Sequence, residues 1–229
     1  TENRPQFTNK KEEIEINVIS SPLNVTQKEV ADVCRSLKNG KSPGPGDIPA
    51  ELIKTGTEKL YEQLRTLFQN CLNGAETPKE WKISIISTIH KKGRKDQCEN
   101  YRGIAVTSTI SRMYGKILKN KIENEYKDFE AEEQAGFRAG RSTVDHLYCV
   151  TQIIEKKTAV NQDIHLLYVD LQKAYDSIPL NKLWTTLEQT NINNGLIKAV
   201  KKLYTNSTTK VKVGKTITEG FNITKGLKQ

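Results

Sequence analysis

The run Ile164-His165-Leu166-Leu167-Tyr168-Val169-Asp170 constrains the fold more than any other segment. It is near-continuous in apolar character, the pattern of a strand buried on both faces, and it ends on a carboxylate. It reads as the central strand of an α/β domain, and the segments around it supply helices and further strands. Thr26 and Glu29 have capping-box spacing, and Val30, Val33, Cys34 and Leu37 follow at helical spacing until Asn39-Gly40. Pro49 opens a short helix through Ile53. Thr57 starts a longer one with Leu60, Leu64, Leu67, Phe68 and Leu72 on one stripe, ended by Asn73-Gly74. The period then changes. Ile83, Ile85, Ile86 and Ile89 form a β-branched run, and Arg102 to Val106 reads as its return strand across the basic loop Lys91 to Lys95. Ile110 to Leu118 carry a helix to about Tyr126, Gln134 to Arg141 is a loop, and Ser142 or Thr143 caps a helix bearing Leu147, Val150, Ile153 and Ile154. Beyond the central strand, helices are expected from Pro179 to Glu188 and from Gly195 to Tyr204, then a two-stranded ribbon of Lys210–Val213 and Thr216–Ile223. Residues 1–20 read as a flexible lead-in, with Ile14, Ile16 and Val18 as a short edge strand.

Charge narrows the partner. The formal net charge is +9, and it is unevenly placed. Residues 81–121 hold ten basic side chains against Asp96 and Glu99, and residues 195–229 hold eight lysines against Glu219, while residues 1–50 balance. Clustered positive charge points to a polyanion, most simply nucleic acid. No apolar run approaches the ~20 residues of a membrane helix, and no signal-peptide pattern is visible. Cys34, Cys71, Cys98 and Cys149 form no C-x-x-C pair and have no histidine at zinc spacing, so they read as reduced thiols; His90, His146 and His165 are scattered. The chain starts at Thr1 rather than Met, so a processed protein or a fragment is expected.

Asp170 is the first candidate for chemistry. A carboxylate at the end of a rigid strand, with the following loop open to solvent, is well placed to hold a divalent cation. Asp176, six residues on and past a chain reversal, is the candidate for a second carboxylate. Taken alone, an aspartate in such a place is more often a cap or turn residue, and context decides.

That context is a set of blocks in order. The run Val169-Asp170-Leu171-Gln172-Lys173-Ala174-Tyr175-Asp176-Ser177-Ile178 resembles the first catalytic block of reverse transcriptases of non-LTR (LINE-type) retrotransposons. Lys41 to Glu51 is similar to the family's proline-glycine loop. His90-Lys91-Lys92-Gly93 and Asn100-Tyr101-Arg102-Gly103-Ile104 resemble the two arms of its fingers hairpin. Gln134 to Thr143 matches its next block almost completely, and Lys225-Gly226-Leu227-Lys228-Gln229 resembles the start of its nucleotide-pocket block. The resemblance spans about residues 41–229.

The resemblance implies an α/β right-hand polymerase fold, with fingers and a partial palm, truncated before the paired-aspartate hairpin and thumb. It implies a lead-in at 1–24, N-terminal helices and fingers at 25–160 and a partial palm at 161–229. It implies RNA-directed DNA synthesis by two-metal transfer of dNTPs to a primer 3′-hydroxyl, with Mg²⁺ as cofactor and Mn²⁺ as a substitute. In that role Asp170 is the catalytic metal ligand and the Leu171 carbonyl completes one metal shell. Lys91 or Lys92 and Arg102 face the triphosphate, and Tyr175 is the steric gate beneath the sugar. Gln229 packs near the dNTP, and Phe137, Arg138 and Arg141 lie along the template-primer. The implied partners are an RNA template, a DNA primer, dNTPs and the element RNA in a ribonucleoprotein, in nucleus and cytoplasm, with no membrane. Two features depart from the family. Asp47 follows the second glycine of the proline-glycine loop rather than preceding it, and no paired aspartates occur by Gln229. The chain alone is therefore expected not to polymerise. The competing readings are a non-catalytic nucleic-acid-binding remnant of a decayed or domesticated element and, more distantly, a group II intron maturase.

Overall fold

Three sequence-coded caps fix where the main helices begin. The computed structural model describes residues 23–46 and 48–227. Helix α1 (Gln27–Arg35) has its capping box: Thr26 Oγ1 accepts from the Glu29 N–H at 3.2 Å, and the Thr26 N–H donates to Glu29 Oε2 at 2.7 Å. Short α2 (Ala50–Lys54) and long α3 (Glu58–Leu72) follow. Helix α4 (Thr109–Tyr126) starts at Ser108, whose hydroxyl accepts from the Ser111 N–H at 3.2 Å. The remaining helices are α5 (Thr143–Thr158), α6 (Ala174–Ser177), α7 (Leu180–Glu188) and α8 (Asn194–Tyr204). Helix α8 is capped by Asn193, whose Oδ1 accepts from the Gly195 N–H at 2.8 Å.

The core is helical. Val30, Val33 and Cys34 of α1, Leu64, Phe68 and Cys71 of α3, Met113, Tyr114, Ile117 and Leu118 of α4, and Leu196, Ile197 and Ala199 of α8 form one buried cluster with Trp81. Phe68, Tyr114 and Trp81 are its aromatic centre, with ring centroids 5.4–6.1 Å apart. Burying each such side chain stabilises by about 1.5–3 kcal/mol.

The sheet hangs from this core. Strands β1 (Ile83–His90) and β2 (Tyr101–Val106) pair antiparallel, from Ile85 opposite Val106 to His90 opposite Tyr101. Strand β3 (Thr208–Val213) lies on the other side of β1 and runs parallel to it, with Ile83 opposite Thr208 and Ser87 opposite Lys212. Two short strands, β4 (Thr216–Ile217) and β5 (Phe221–Asn222), pair antiparallel with β3. A buried hydroxyl pair, Ser84 and Thr209 at 2.8 Å, ties β1 to β3. The expected ribbon is thus not free-standing: its first strand completes the hairpin's sheet.

One expectation is overturned. Residues 164–170 form neither a strand nor a buried layer, and Leu167 and Val169 are 87% and 74% exposed. A strand needs neighbours for its main-chain groups. Both sides of β1 are taken by β2 and β3, and no strand of the described residues pairs with 164–170. Helix α5 shares this exposure: its cap forms, with the Ser142 N–H donating to Asp145 Oδ2 at 2.6 Å, yet none of its residues is buried. The proposed edge strand at Ile14, Ile16 and Val18 lies outside the described residues, as do Asp47 and Gln229. No helix among the described residues is long and apolar enough to cross a membrane.

Candidate functional site

The hairpin presents a basic loop that is internally braced. The Lys91 N–H donates to the Asn100 carbonyl at 2.7 Å and closes the turn. Asn100 Nδ2 donates to the Arg94 carbonyl at 2.8 Å, the Tyr101 hydroxyl donates to the Lys95 carbonyl at 2.8 Å, and a His90 ring nitrogen lies 3.1 Å from the Gly93 carbonyl. Arg94 pairs with Asp96 at 2.6 Å and holds that carboxyl below its usual range. This bracing fixes the main chain while the Lys91 and Lys92 side chains stay exposed. Sequence reasoning missed the roles of Asn100 and Tyr101; their adjacency to Arg102 in a turn-closing position was the available signal.

The proline-glycine loop is tied to the first turn of α4. The Thr109 N–H donates to the Pro43 carbonyl at 3.1 Å, the Thr109 hydroxyl to the Ile48 carbonyl at 2.7 Å, and the Arg112 guanidinium to the Ser42 carbonyl at 2.9 Å. Since β2 leads directly into α4, the loop braces the base of the hairpin. Arg112 was not singled out in the sequence, and its partial burial lowers its pKa.

A cavity of about 440 Å³ opens on one face of the sheet. Its lining includes Ser84, Gly103 and Ala105 from the hairpin and Asp176, Gly226 and Leu227 from the later blocks. These later blocks are locked together: the Gly226 N–H donates to the Ile178 carbonyl at 2.8 Å, the Leu227 N–H to the Tyr175 carbonyl at 2.9 Å, and Pro179 bridges to Lys225. The approach requires glycine. Gly226 has φ +89°, and a Cβ there would sit 2.9 Å from the Asp176 carbonyl oxygen. Tyr175 meets Phe137 edge-on, ring centroids 5.9 Å apart, so the Gln134–Thr143 block reaches the same corner.

Other expected site residues do not gather there. Strand alternation puts Arg102 and Ile104 on the face opposite Gly103 and Ala105, so Arg102 points away from the cavity. Arg138 is engaged within its own loop, with Glu130 at 3.1 Å and the Ala131 carbonyl at 2.8 Å, and Arg141 pairs with Glu132. Phe137 is the most exposed of this group at 88%, and it holds a left-handed φ of 63°.

Asp170 is exposed in the unpaired segment, beside the Leu171 carbonyl. Among the described residues no three His, Cys, Asp or Glu side chains come together as a metal site. One exposed carboxylate is a poor match to the octahedral shell of Mg²⁺, so these residues do not by themselves fit a resident metal.

Comparison with known proteins accounts for the order of the blocks. The family model for reverse transcriptase (RNA-dependent DNA polymerase) matches residues 89–229. The chain is 26% identical over 194 residues to a probable RNA-directed DNA polymerase from transposon BS of Drosophila melanogaster, covering 83% of this chain and 20% of that protein. It is 29% identical over 153 residues to the corresponding protein of transposon X-element from the same fly, covering 66% of this chain and 17% of the relative. It is 25% identical over 183 residues to a retrovirus-related Pol polyprotein from type-1 retrotransposable element R1 of Bradysia coprophila, covering 78% of this chain and 18% of that one. The chain thus spans about a fifth of the length of the curated relatives it matches. With the hairpin, the braced loop and the docked Tyr175 and Gly226 blocks all lying in or at the edge of the matched region, the chain belongs to the reverse transcriptase (RNA-dependent DNA polymerase) family, of the non-LTR retrotransposon kind.

Proposed function

We propose that this chain is the fingers (25–160) and partial palm (161–229) of an RNA-directed DNA polymerase, acting on an RNA template, a DNA primer and dNTPs. The observation that carries the reading is the family match over 89–229, within which the Gly226-Leu227 block docks on the Tyr175–Ile178 block. In this reading Tyr175 gates the sugar, Gln229 lies beside the nucleotide, and Phe137, Arg138 and Arg141 border the template-primer. Lys91, Lys92 and Arg102 supply the charge that holds the triphosphate, Arg as a fork and Lys as a point charge. Asp170 and the Leu171 carbonyl are the groups of this chain that would contribute to holding Mg²⁺ or Mn²⁺, whose charge would offset that of the phosphates, although the described residues alone do not complete such a shell. Two-metal nucleotidyl transfer needs further carboxylates beside Asp170, and among the described residues no group of three His, Cys, Asp or Glu side chains gathers there. Packaging with element RNA in a ribonucleoprotein, and passage between cytoplasm and nucleus, belong to the same reading.

The test is primer extension on an RNA template by the full-length product of the open reading frame, beside its Asp170→Ala variant and the 229-residue chain. The full-length product is expected to incorporate dNTPs, and Asp170→Ala to lose roughly 10³-fold or more of the rate. The 229-residue chain is expected to show none. Undiminished extension by Asp170→Ala, or extension by the short chain, would overturn the assignment.

A further inference from the structure

One residue holds most of the hairpin turn. Asn100 immediately precedes β2 and is half-buried. Its Nδ2 donates to the Arg94 carbonyl at 2.8 Å and to Gln97 Oε1 at 3.3 Å. Its main-chain N–H donates to the Gln97 carbonyl at 3.1 Å, and its carbonyl accepts from the Lys91 N–H at 2.7 Å. The same amide covers Gly93. A Cβ at Gly93 would fall 2.7 Å from Asn100 Nδ2 and 3.1 Å from its Cγ, and Gly93 holds a left-handed φ of +83°. Residues 91, 93, 94 and 97 are thus all fixed against one asparagine. The other braces of the loop each reach a single point, the Tyr101 hydroxyl at the Lys95 carbonyl and the His90 ring at the Gly93 carbonyl.

The bond between Lys91 and Asn100 continues the β1–β2 ladder one rung past His90 and Tyr101. Side chains alternate along a strand, so this rung places Lys91 on the side of Ile89 and Arg102, opposite His90, Tyr101 and Gly103. Lys91 and Arg102 are then diagonal neighbours on one face, about 7–8 Å apart at their bases. That spacing lets a guanidinium fork and an ammonium point charge reach one triphosphate together. Lys92 follows the last rung and stands in the turn beside Gly93. Alternation read from the sequence admits either lysine; the rung that Asn100 closes selects Lys91.

We propose that Asn100 is a positioning residue for nucleotide binding: it holds Lys91, and not Lys92, beside Arg102 for the triphosphate of the incoming nucleotide, and it touches no substrate itself. The identity of that anion rests on the polymerase reading; the brace does not. A lysine on a loose turn must be ordered each time a nucleotide binds, and that ordering subtracts from affinity. A turn fixed beforehand removes the main-chain part of the loss. The asparagine amide suits the task because it has two N–H donors, and here one goes to the Arg94 carbonyl and one to Gln97 Oε1. Gly93 belongs to the same device, since a side chain there would occupy the space of the amide. Two consequences separate positioning from general stabilisation of the loop. The effect of Asn100 falls on nucleotide affinity and not on the chemical step, and it is exerted through Lys91.

The test is primer extension on an RNA template by the full-length product, with KM and kcat for dNTP read separately. Asn100→Ala should raise KM about tenfold and leave kcat within about twofold. Gly93→Ala, which puts a Cβ into the same amide, should do the same. A double-mutant cycle then shows what Asn100 acts through. Adding Asn100→Ala to Lys91→Ala should change KM little further, whereas adding it to Lys92→Ala should multiply the two effects. An unchanged KM in Asn100→Ala, a loss confined to kcat, or multiplication with Lys91→Ala would each overturn the proposal. Trypsin reads the brace without catalysis. In the 229-residue chain, Asn100→Ala should speed cleavage after Lys91, Lys92, Arg94 and Lys95 about tenfold and leave cuts elsewhere at their original rates. Unchanged cleavage of the loop would also overturn it. An unaltered full-length product that incorporates nothing refutes the polymerase reading, and with it the nucleotide as the anion, whatever trypsin shows for the brace.

Discussion

Substituting alanine at Gly44 tests how the proline-glycine loop braces the hairpin. Gly44 has φ +71°, and a Cβ there would lie 2.4 Å from the Thr107 carbonyl oxygen and 2.6 Å from its carbon, both main-chain atoms. The left-handed backbone alone costs an alanine about 1–2 kcal/mol. The close approach adds a second cost, because neither partner is the flexible end of a side chain. The loop must withdraw, and it is held by the Thr109 N–H on the Pro43 carbonyl at 3.1 Å and by Arg112 on the Ser42 carbonyl at 2.9 Å. Losing one such bond and leaving a partner unsatisfied costs about 1–3 kcal/mol. The total is about 2–5 kcal/mol, or a fall in Tm of about 4–20 °C for a chain of this size. Gly46→Ala is the control. Gly46 also has positive φ, at +95°, but a Cβ there meets nothing within 4 Å. It should show the backbone cost alone, about half the effect or less. Thermal unfolding followed by circular dichroism reads both. Equal losses in the two variants would refute the close-contact reasoning, and no loss at Gly44 would refute the docking of the loop.

Two further outcomes are expected. Tyr114 is fully buried, its hydroxyl has no hydrogen-bond partner among the described residues, and burial raises its pKa. Tyr114→Phe should therefore be neutral or stabilising by up to about 1 kcal/mol in chemical denaturation, and a loss greater than that would reveal a partner for the hydroxyl. Burial pushes the Glu29 carboxyl up, but the Lys121 ammonium and the Thr26 cap pull it down further, so its pKa in the fold lies below the ordinary value. A depressed carboxylate stabilises above its unfolded pKa and loses that stabilisation as pH falls through its folded pKa. Glu29→Gln should then cost about 0.5–1 kcal/mol at neutral pH, with the gap closing in acid; a gap that persists in acid would exclude the ion pair as its cause.

The parts of this structure legible in the sequence are those coded locally. Thr26 and Glu29 cap α1 because both partners lie within one helical turn, and the Ile83–Ile89 run meets its return strand across a short basic loop. Features set by distant neighbours escaped. The 164–170 run has the composition of a buried strand, but composition does not supply the strand that must lie beside it, and among the described residues none does. The pairs of Arg138 with Glu130 and of Arg141 with Glu132 are close in sequence, yet spacing within a loop does not say which acid meets which guanidinium. Conversely, the Tyr175 and Gly226 blocks are each legible in the sequence, while their direct docking through Gly226 and Leu227 is a property of the fold.

The polymerase reading is tested most directly by sugar selection at Tyr175, the residue that joins the first catalytic block to Phe137 and to the Leu227 main chain. The measurement is the ratio of dNTP to ribonucleotide incorporation, from kcat/KM for each, on an RNA template by the full-length product and its Tyr175→Val variant. An aromatic ring under the sugar rejects the 2′-hydroxyl by contact, so the ratio should fall about tenfold or more while dNTP incorporation persists. An unchanged ratio would remove Tyr175 from the nucleotide site, and an absence of incorporation by the unaltered full-length product would contradict the polymerase reading itself.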